Sequence, residues 1–501
     1  MYASRRPAGD SLRRLVPTLL CLALAHAGAL VHADVRLPSI FGDNMVLQRE
    51  MKVPVWGWAK PGETVSVTLG AHQTATRAGE DGRWRVTLGP LKVGPALTMT
   101  VKGTNELTFA NVAVGDVWLC SGQSNMDVGV RSALNAAEEI RNADHPRIRL
   151  FHVGRAAAIR PADDVKGRWV PCSPETVGAF SAAGYFFGRE LHRELDVPIG
   201  LIHAAVGDSS IRTWMSPRAL ESDPALARHV ATMQRLRASF DETMATVADR
   251  PGSIPGPMRG DGGFLCNGMI APLAGYGIKG KIWYQGEKDS GRYREYPRTF
   301  HAMLVDLRRT WGQGDFPFLF VQIATYKGWG DVQAAPDPLP NEGTWGFMRE
   351  AQTKCLAEPN TAMAVSLDRA DFENAHPRNK QAVGHRLALA ALARVYGRDI
   401  VYSGPMYESM KVEGGAIRLR FTHVGGGLVV EGAKGKNGFA IAGADRKFAW
   451  ADVRIDGETL LVSSEDVPAP VAVRYAWANF PYFGLSNKEG LPAPTFRTDE
   501  W

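Results

Sequence analysis

Cysteine is scarce in this sequence: five cysteines occur in 501 residues, and none forms a Cys-x-x-Cys pair. This spacing argues against a structural zinc site or a thiol redox motif. Histidine and acidic residues do not cluster with metal-site spacing either, so we expect no metal. Whether Cys120, Cys172, Cys266 and Cys355 form disulfides or remain buried free thiols is left open by the sequence.

The sequence also lacks runs of basic residues. Its formal net charge is +6, and four arginines and one aspartate within the first 14 residues contribute +3 of this charge. Lysine and arginine blocks with interleaved aromatic residues, which would bind nucleic acid, are absent. We therefore expect no nucleic-acid partner.

Residues 1–33 have the pattern of a secretory signal peptide. Arginines precede an apolar stretch at 15–30, and small residues lead to a cleavage position after Ala33. Pro17 and Gly28 interrupt an apolar run that is already short for a membrane span. The sequence predicts removal of this leader, a mature chain without a membrane span, and a periplasmic or secreted protein.

The mature chain divides into three segments by pattern. Residues 34–111 contain short β-rich runs separated by turn residues, which is typical of a small β-sandwich. Residues 112–398 alternate apolar strand candidates with helical periodicity, which predicts an α/β domain with a mostly parallel sheet covered on both faces. Residues 399–501 return to β character, and the sequence leaves open whether the two β regions form one domain. In the α/β segment we predict strands at 112–120, 147–153, 198–205, 279–284, 316–323 and 361–367, and helices at 180–195, 298–311 and 382–396.

The most informative motif is Ser-Gly-Gln-Ser-Asn-Met at residues 121–126, directly after the first of these strands. The chain then turns into a helix-compatible segment. Such a turn presents the Ser124 hydroxyl at the carboxyl edge of the sheet, where ligands bind in open α/β folds. Backbone N–H groups of the same turn point toward a substrate group that is bonded to that hydroxyl oxygen. A nucleophile and part of an oxyanion site can thus come from a few consecutive residues.

Gly207, Gln285 and His376 follow other predicted strands of the same segment. Because parallel strands deliver their carboxyl ends to one edge, we expect these residues to converge on Ser124. His376 is the predicted general base, since its side chain titrates near neutral pH. The N–H groups of Ser124 and Gly207 and the side-chain amide of Gln285 are three predicted donors for a tetrahedral oxyanion.

Other side chains near these motifs are candidates for substrate binding. Trp214, Tyr293 and Trp329 can stack on sugar rings, although aromatic residues are equally frequent in protein cores. Glu287 is either a second acid or a buried carboxylate that braces its loop.

Several segments match one known pattern. They are residues 115–118 and 121–126, Trp214-Met215-Ser216, residues 283–287, His376-Pro377 with Asn379-Lys380, and the opening at residues 37–48. Together they resemble the sialate O-acetylesterase-like family of the SGNH hydrolase superfamily, over most of the mature chain. The resemblance implies a three-layer α/β/α domain with accessory β-sandwich segments before and after it, and a carbohydrate acetylesterase that needs no cofactor. It also implies Ser124 as nucleophile, His376 as base, and Gly207 and Gln285 as oxyanion donors.

One position departs from the family pattern. Relatives often carry an aspartate two or three residues before the histidine, where this sequence has Asn374 and Glu373. Glu373 is the first candidate for the acid that orients His376, Asp371 is its rival, and Asp368 is a more distant third.

The function predicted from the sequence is a serine esterase that removes O-acetyl groups from carbohydrates through an acetyl-enzyme. Two other hypotheses stay open: a catalytically inactive domain that only binds carbohydrate, and a lipase or thioesterase of the same superfamily. The sequence fixes neither the oligomeric state nor the acetylated sugar, for which sialic acid and plant polysaccharides such as xylan and xyloglucan are the candidates.

Overall fold

A computed structural model describes residues 34–326, 344–370 and 374–501 of the chain. The predicted signal peptide, Trp329, Asp371 and Glu373 lie outside the described residues. Within the described ranges, no helix is both long and apolar enough to cross a membrane.

Strands occur along the whole described chain. They are β1 Val46–Gln48, β2 Val53–Trp58, β3 Thr64–Leu69, β4 His72–Arg77, β5 Arg83–Leu88, β6 Leu97–Lys102, β7 Glu106–Gly122, β8 His145–His152, β9 Trp169–Cys172, β10 Ile199–Ala205, β11 Gly280–Tyr284, β12 Phe318–Gln322, β13 Thr361–Val365, β14 Met406–Glu413, β15 Ala416–Thr422, β16 Leu428–Val430, β17 Phe439–Gly443, β18 Phe448–Trp450, β19 Asp452–Asp456, β20 Thr459–Ser463, β21 Pro470–Tyr475, β22 Leu485–Asn487 and β23 Phe496–Arg497.

The α-helices lie between Ser124 and Arg394. They are α1 Ser124–Asp127, α2 Ala136–Arg141, α3 Pro174–Val177, α4 Ala182–Leu195, α5 Pro217–Glu221, α6 Ala227–Ala238, α7 Phe240–Ala245, α8 Gly256–Gly260, α9 Tyr296–Trp311, α10 Thr344–Lys354 and α11 Lys380–Arg394. Short 3₁₀ turns, among them Ile211–Trp214 and Glu287–Arg292, connect several of these elements.

The strands of the first segment are half-exposed, as their alternating pattern predicts. Less and more buried side chains alternate along β2 and β5, which pair antiparallel. β7 begins in the same way but is completely buried from Val112 onward. Its first half pairs with β6 and its second half with β10 and β11, so one continuous strand passes through the predicted domain boundary at 111/112.

The central sheet has the order β13-β12-β11-β7-β10-β8-β9. Neighbouring strands along this path are parallel except β8 and β9, which are antiparallel. β10, β11, β12 and β13 are buried at every position, as expected for strands covered on both faces. The predicted α/β class with a mostly parallel sheet is confirmed.

Helices pack on both faces of this sheet. On one face α4 lies against α11, and Phe187 of α4 contacts Trp118 of β7 edge-on at 4.9 Å. On the other face Phe300 of α9 contacts Phe318 and Phe320 of β12 at 5.2 and 5.3 Å. Each predicted helix of this segment is present, with bounds that differ by a few residues.

The C-terminal segment is β-rich, as predicted, and consists of small antiparallel sheets formed by β14 to β23. The fully buried Arg349 of α10 connects it to the α/β segment, because its guanidinium donates to Thr495 Oγ1 and to the Ala478 carbonyl. Cys120, Cys172, Cys266 and Cys355 are buried free thiols, so the question left open by the sequence is resolved against disulfides among them.

The strand order reverses at β7. From β7 the chain proceeds to β8, returns through β10 to one side of β7, and then crosses to β11 on the other side. A crevice at the carboxyl end of the central strand is the usual ligand site of such a sheet. Gly122, the last residue of β7, is in register with both Ala205 and Tyr284. Three strands therefore end at the same level.

Gly122 is required at this point. Its φ is +147°, and a Cβ atom there would lie 2.2 Å from the carbonyl oxygen of Tyr284. No side chain fits, so the glycine lets β7 and β11 approach closely where the chain turns toward Ser124.

Candidate active site

A cleft at the carboxyl end of β7 contains the predicted nucleophile and the predicted base. Ser124 is the first residue of α1, two positions beyond the end of the strand. Ser124, Gly207 and His376 all line this cleft. The structure thus brings together residues from three distant parts of the sequence.

Gly207 lies directly beside the nucleophile. A Cβ atom on Gly207 would be 3.6 Å from Cβ of Ser124. The carbonyl of Gly207 accepts a hydrogen bond from Arg259 (3.0 Å), and the carboxylate of Asp208 pairs with Arg259 (3.2 Å) and Lys288 (2.7 Å). These contacts hold the peptide that follows Gly207 in place.

Asp127, on the same helix as Ser124, forms the adjoining wall of the cleft. Its carboxylate accepts a hydrogen bond from Arg155 at 2.5 Å. Burial raises the pKa of Asp127, while Arg155, His152 and the backbone amide of Gly207 oppose this shift. Asp127 was not predicted as a site residue; its only signal in the sequence is its position three residues after Ser124.

Gln285 does not open into the cleft. Its side-chain nitrogen donates to Asp289 Oδ2 (2.7 Å) and to the carbonyl of Ser209 (3.2 Å), and its side-chain oxygen accepts from the Tyr296 hydroxyl (3.1 Å). Gln285 is fully buried. Because both amide hydrogens are already used, this geometry does not fit the predicted role of an oxyanion donor.

Asp289, the partner of Gln285, braces the loop that carries Gly207. Its two oxygens accept hydrogen bonds from the Ser210 hydroxyl (2.9 Å), the Ile211 amide (2.8 Å) and the Arg212 guanidinium (2.9 Å). Asp289 and Arg212 are 1% and 2% exposed, so this is a buried ion pair with several additional hydrogen bonds. Gln285 and Asp289 act behind the wall of the cleft rather than within it.

Gln123 is the glutamine that lines the cleft. Its backbone N–H donates to the Tyr284 carbonyl (3.0 Å), and its side-chain oxygen accepts from the Lys288 amide (3.2 Å). Among the described residues, its side-chain nitrogen has no hydrogen-bond partner. Gln123 lies in the nucleophile motif itself, and its adjacency to Ser124 was the available signal.

His376 is half-buried and lines the same cleft as Ser124. Its backbone N–H donates to Asn374 Oδ1 at 2.9 Å, which forms a tight turn. Burial lowers the pKa of His376, and the nearby Lys380 ammonium lowers it further. Within the described part of the chain, no carboxylate contacts its imidazole. The two first candidates for an orienting acid, Glu373 and Asp371, lie outside that part.

Asp368, the third candidate acid, is engaged elsewhere. Its two oxygens accept hydrogen bonds from the Arg386 guanidinium at 2.6 and 2.7 Å, in a bidentate pair. Arg386 is 4% exposed and depends on this carboxylate for neutralisation. The geometry therefore does not support Asp368 as the acid that orients His376.

Glu287 lines the cleft beside His376. One carboxyl oxygen accepts a hydrogen bond from Asn125 at 2.7 Å, and the other is buried without a partner among the described residues. Burial raises the pKa of Glu287.

The predicted sugar-stacking aromatic residues lie away from the cleft. Trp214 is 2% exposed, donates its indole N–H to Ser209 Oγ at 2.8 Å, and packs edge-on against Trp283. Tyr293 stacks on Phe347 with 4.7 Å between ring centroids and lines a different cavity. Both therefore pack against other aromatic rings instead of facing the cleft, and Trp329 lies outside the described residues.

Tyr326 and Trp345 supply the aromatic surface of the cleft instead. Their ring centroids are 5.8 Å apart, and both backbone N–H groups bond to Asn479 of the C-terminal segment. No local motif marks these two positions, because their approach depends on contacts with a segment more than a hundred residues away.

An α/β sheet with a strand-end serine and a histidine lining one cleft is an arrangement typical of hydrolases. Comparison with known proteins agrees. Residues 114–247 and 267–393 match the family model of carbohydrate esterases described as sialic acid-specific acetylesterase. The chain therefore belongs to this family and is a carboxylic ester hydrolase, as the motifs predict.

Relatives support the assignment over nearly the whole chain. Sialate O-acetylesterase of Mus musculus is 30% identical, covering 95% of this chain and 97% of its own length. The Homo sapiens sialate O-acetylesterase is also 30% identical, covering 92% of both. A crystal structure of a carbohydrate acetylesterase from Xanthomonas citri is 34% identical with a TM-score of 0.80, and covers 93% of this chain and all of that one.

Proposed function

We propose that this chain is a serine esterase that removes O-acetyl groups from carbohydrates, with Ser124 as nucleophile and His376 as general base. One observation carries the proposal: Ser124, Gly207 and His376 line a single cleft at the point of strand-order reversal, in a member of the carbohydrate acetylesterase family.

The reaction proceeds in two halves. Ser124 Oγ attacks the acetyl carbonyl while the His376 imidazole accepts the hydroxyl proton, giving a tetrahedral intermediate. Its collapse breaks the bond to the sugar oxygen, which leaves with the proton from His376. Water then attacks the acetyl-serine with His376 as base, and acetate and free Ser124 are released.

The oxyanion is stabilised by the N–H groups of Ser124 and Gly207, with the side-chain amide of Gln123 as third donor. Gln123 takes the role predicted for Gln285, because its side-chain amide nitrogen has no partner among the described residues, whereas that of Gln285 donates to two acceptors. Gln285 supports this arrangement indirectly, through Asp289 and the loop that carries Gly207.

Glu373 remains the first candidate for the acid that orients His376, with Asp371 as its rival. Comparing Glu373→Ala with Asp371→Ala assigns the partner, because the variant with the larger loss in kcat has lost the acid. If neither loss is measurable, the serine and histidine work as a dyad.

The proposed substrate is an acetylated carbohydrate, either sialic acid or a plant polysaccharide or oligosaccharide. The cleft has a volume of about 1380 Å³ and is open, with Tyr326 and Trp345 on its wall. Pockets for small ligands usually measure roughly 300–1,000 Å³, so this cleft has room for a sugar with neighbouring residues. Acetate release across a panel of acetylated glycans identifies the substrate.

We also propose the finer organisation that the sequence suggests. Residues 112–398 form a three-layer α/β/α catalytic domain of the SGNH type, residues 34–111 an N-terminal β-sandwich, and residues 399–501 a C-terminal β region. Residues 1–33 direct the protein to the periplasm or the exterior and are cleaved after Ala33. N-terminal sequencing of the exported protein should then begin at Asp34.

The proposal is tested by Ser124→Ala and His376→Ala with p-nitrophenyl acetate as substrate. Each variant should lose at least about 1,000-fold in kcat, because both groups act in the same step. Ser132→Ala is the control, since Ser132 is an exposed serine just after α1. Wild-type turnover by the Ser124→Ala protein would refute the proposal. Rising activity from acetyl to longer acyl esters would favour a lipase or thioesterase instead.

A further inference from the structure

The side chain next to the nucleophile contacts three other segments. Asn125 is 1% exposed, and its amide nitrogen donates to Glu287 Oε1 (2.7 Å) and to the backbone carbonyl of Ala375 (3.0 Å). Its amide oxygen accepts a hydrogen bond from the Lys380 ammonium (2.5 Å). Asn125 thereby connects the helix of the nucleophile to the loop that carries the catalytic histidine.

Lys380 determines which way the Asn125 amide faces. An ammonium group has three donors and no acceptor, so the oxygen of Asn125 must point toward it. The NH₂ group is then directed at the two remaining acceptors, Glu287 and the Ala375 carbonyl. A reversed amide would set N–H against ammonium and oxygen against two acceptors, and would leave these buried polar groups unsatisfied.

Lys380 is itself unusual in its surroundings. It is fully buried as the first residue of α11, and its Nζ lies 5.0 Å from the centroid of the Tyr284 ring. Burial lowers the pKa of Lys380 to about 7, and Glu287 opposes this shift. The Asn125 amide bonds both groups and so bridges the ammonium to the Glu287 carboxyl.

Charged groups on several elements surround the site of His376. Lys380, the first residue of α11, is fully buried and does not itself line the cleft, whereas Glu287, from the turn after β11, does. The other charged side chains that line the cleft are Asp127, Arg155, Asp208, Glu242, Arg250, Arg259 and Lys288. Among all these groups, Lys380 is the cation whose field acts on the imidazole of His376.

We propose that Asn125 and Lys380 are positioning residues for the catalytic histidine: Asn125 holds the loop that carries His376, and the Lys380 ammonium orients Asn125 and acts as a positive charge near the imidazole. The inference rests on the proposed function. Asn125 follows Ser124 directly and bonds the residue directly before His376, so it sets the separation of nucleophile and base. A displacement of about 1 Å in such a site can cost roughly 100-fold in rate.

The first test replaces Lys380 by methionine, which has similar length and no charge. Removing a cation beside an imidazole favours the protonated form, so a higher pH is needed to obtain the neutral base. The acid limb of the kcat/KM profile of Lys380→Met should therefore move upward, by about 0.5 to 1 pH unit. If Lys380→Met does not fold, Lys380→Gln should show the same direction.

A matched control exists in the central sheet. Lys281 of β11 is buried like Lys380, at 1% exposed, also has its pKa lowered to about 7 by burial, and lies against the rings of Trp283 and Phe318. Unlike Lys380, it is not a charge that acts on His376. Lys281→Met makes the same change at the same depth, and its pH profile should coincide with that of the wild type.

The second test is Asn125→Asp, which keeps the shape and the contact with Lys380. It replaces both donors by an oxygen that faces Glu287 and the Ala375 carbonyl. The expected result is a fall in kcat of about 100-fold with KM changed less than about threefold, because positioning and not substrate binding is lost.

The results separate this inference from the proposed function. An upward shift in Lys380→Met alone, together with the loss of kcat in Asn125→Asp, supports the inference. An acid limb that stays in place in Lys380→Met, or moves equally in Lys281→Met, overturns the role of Lys380. Wild-type kcat in Asn125→Asp overturns the role of Asn125. If Ser124→Ala is inactive in either of these cases, the proposed function stands and only the positioning roles fail.

Discussion

The two sides of the cleft are held in place by different means. On the nucleophile side, backbone geometry is decisive: Gly122 ends β7 in register with its two neighbouring strands, and Ser124 follows two residues later. On the histidine side, side-chain hydrogen bonds are decisive, since Asn125 bonds the Ala375 carbonyl and Lys380.

This difference predicts how each side responds to mutation. A strand end inside a buried parallel sheet has few alternative backbone conformations, so substitutions there act first on folding stability. The histidine loop depends on a few polar contacts, so changes to those contacts act first on rate. The predictions below test this distinction.

The largest effect is expected for Gly122→Ala on the nucleophile side. The added methyl group would lie 2.2 Å from the Tyr284 carbonyl oxygen at a φ of +147°. The sheet must open to relieve this overlap, and we expect a loss of at least about 3 kcal/mol in the free energy of unfolding. Thermal melting measures it. Gly291→Ala is the control, because a Cβ atom at Gly291 meets nothing within 4 Å. Equal melting temperatures would show that the strand end is adaptable.

An intermediate effect is expected for the two glutamines. Gln123→Ala should lower kcat by about 100-fold with an unchanged melting temperature, because it removes a donor to the oxyanion. Gln285→Ala should instead lower the melting temperature, because the buried Asp289 loses a hydrogen bond. The opposite result would be a Gln285→Ala protein with lower kcat and an unchanged melting temperature, and a Gln123→Ala protein with normal kcat. It would support Gln285 as the oxyanion donor, as predicted from the sequence.

The smallest effect on rate is expected for Asp368→Asn, because Asp368 is bound to Arg386 and takes no part in the contacts between Asn125 and the histidine loop. Asp368 is bound to the buried Arg386, so its loss should destabilise the fold by about 1–3 kcal/mol. The kcat should stay within about threefold of the wild type at a temperature where the variant is folded. A loss in kcat of the size seen for His376→Ala would make Asp368 the orienting acid after all.

Much of the fold follows from the sequence because its signals are local. The largely apolar runs that form β10 to β13, and the helical periodicity of α4, α9 and α11, predict these elements to within a few residues. β9 was not predicted; it is the antiparallel edge of the sheet, and its residues Trp169–Cys172 are too few for a clear alternation.

The site is predictable only in part. The predicted strand ends indicate which residues lie at the cleft, and this information identified Ser124 and Gly207. They do not show which way a side chain turns, so Gln285, Trp214 and Tyr293 were assigned to the cleft although they pack elsewhere.

The other site residues could not be predicted because their roles depend on long-range contacts. Asn125 and Lys380 both lie inside motifs recognised from the sequence, yet their function depends on a hydrogen bond between residues 255 positions apart. No local pattern contains that information.

The central claim is that Ser124 carries the acetyl group during the reaction. Rapid acid quenching of the enzyme during turnover of an acetyl ester, followed by mass spectrometry of its peptides, tests this directly. The account predicts one acetyl group on the peptide that contains Ser124 and none in the Ser124→Ala protein. Acetate release at the normal rate, with the acetyl group found on another residue, would contradict it.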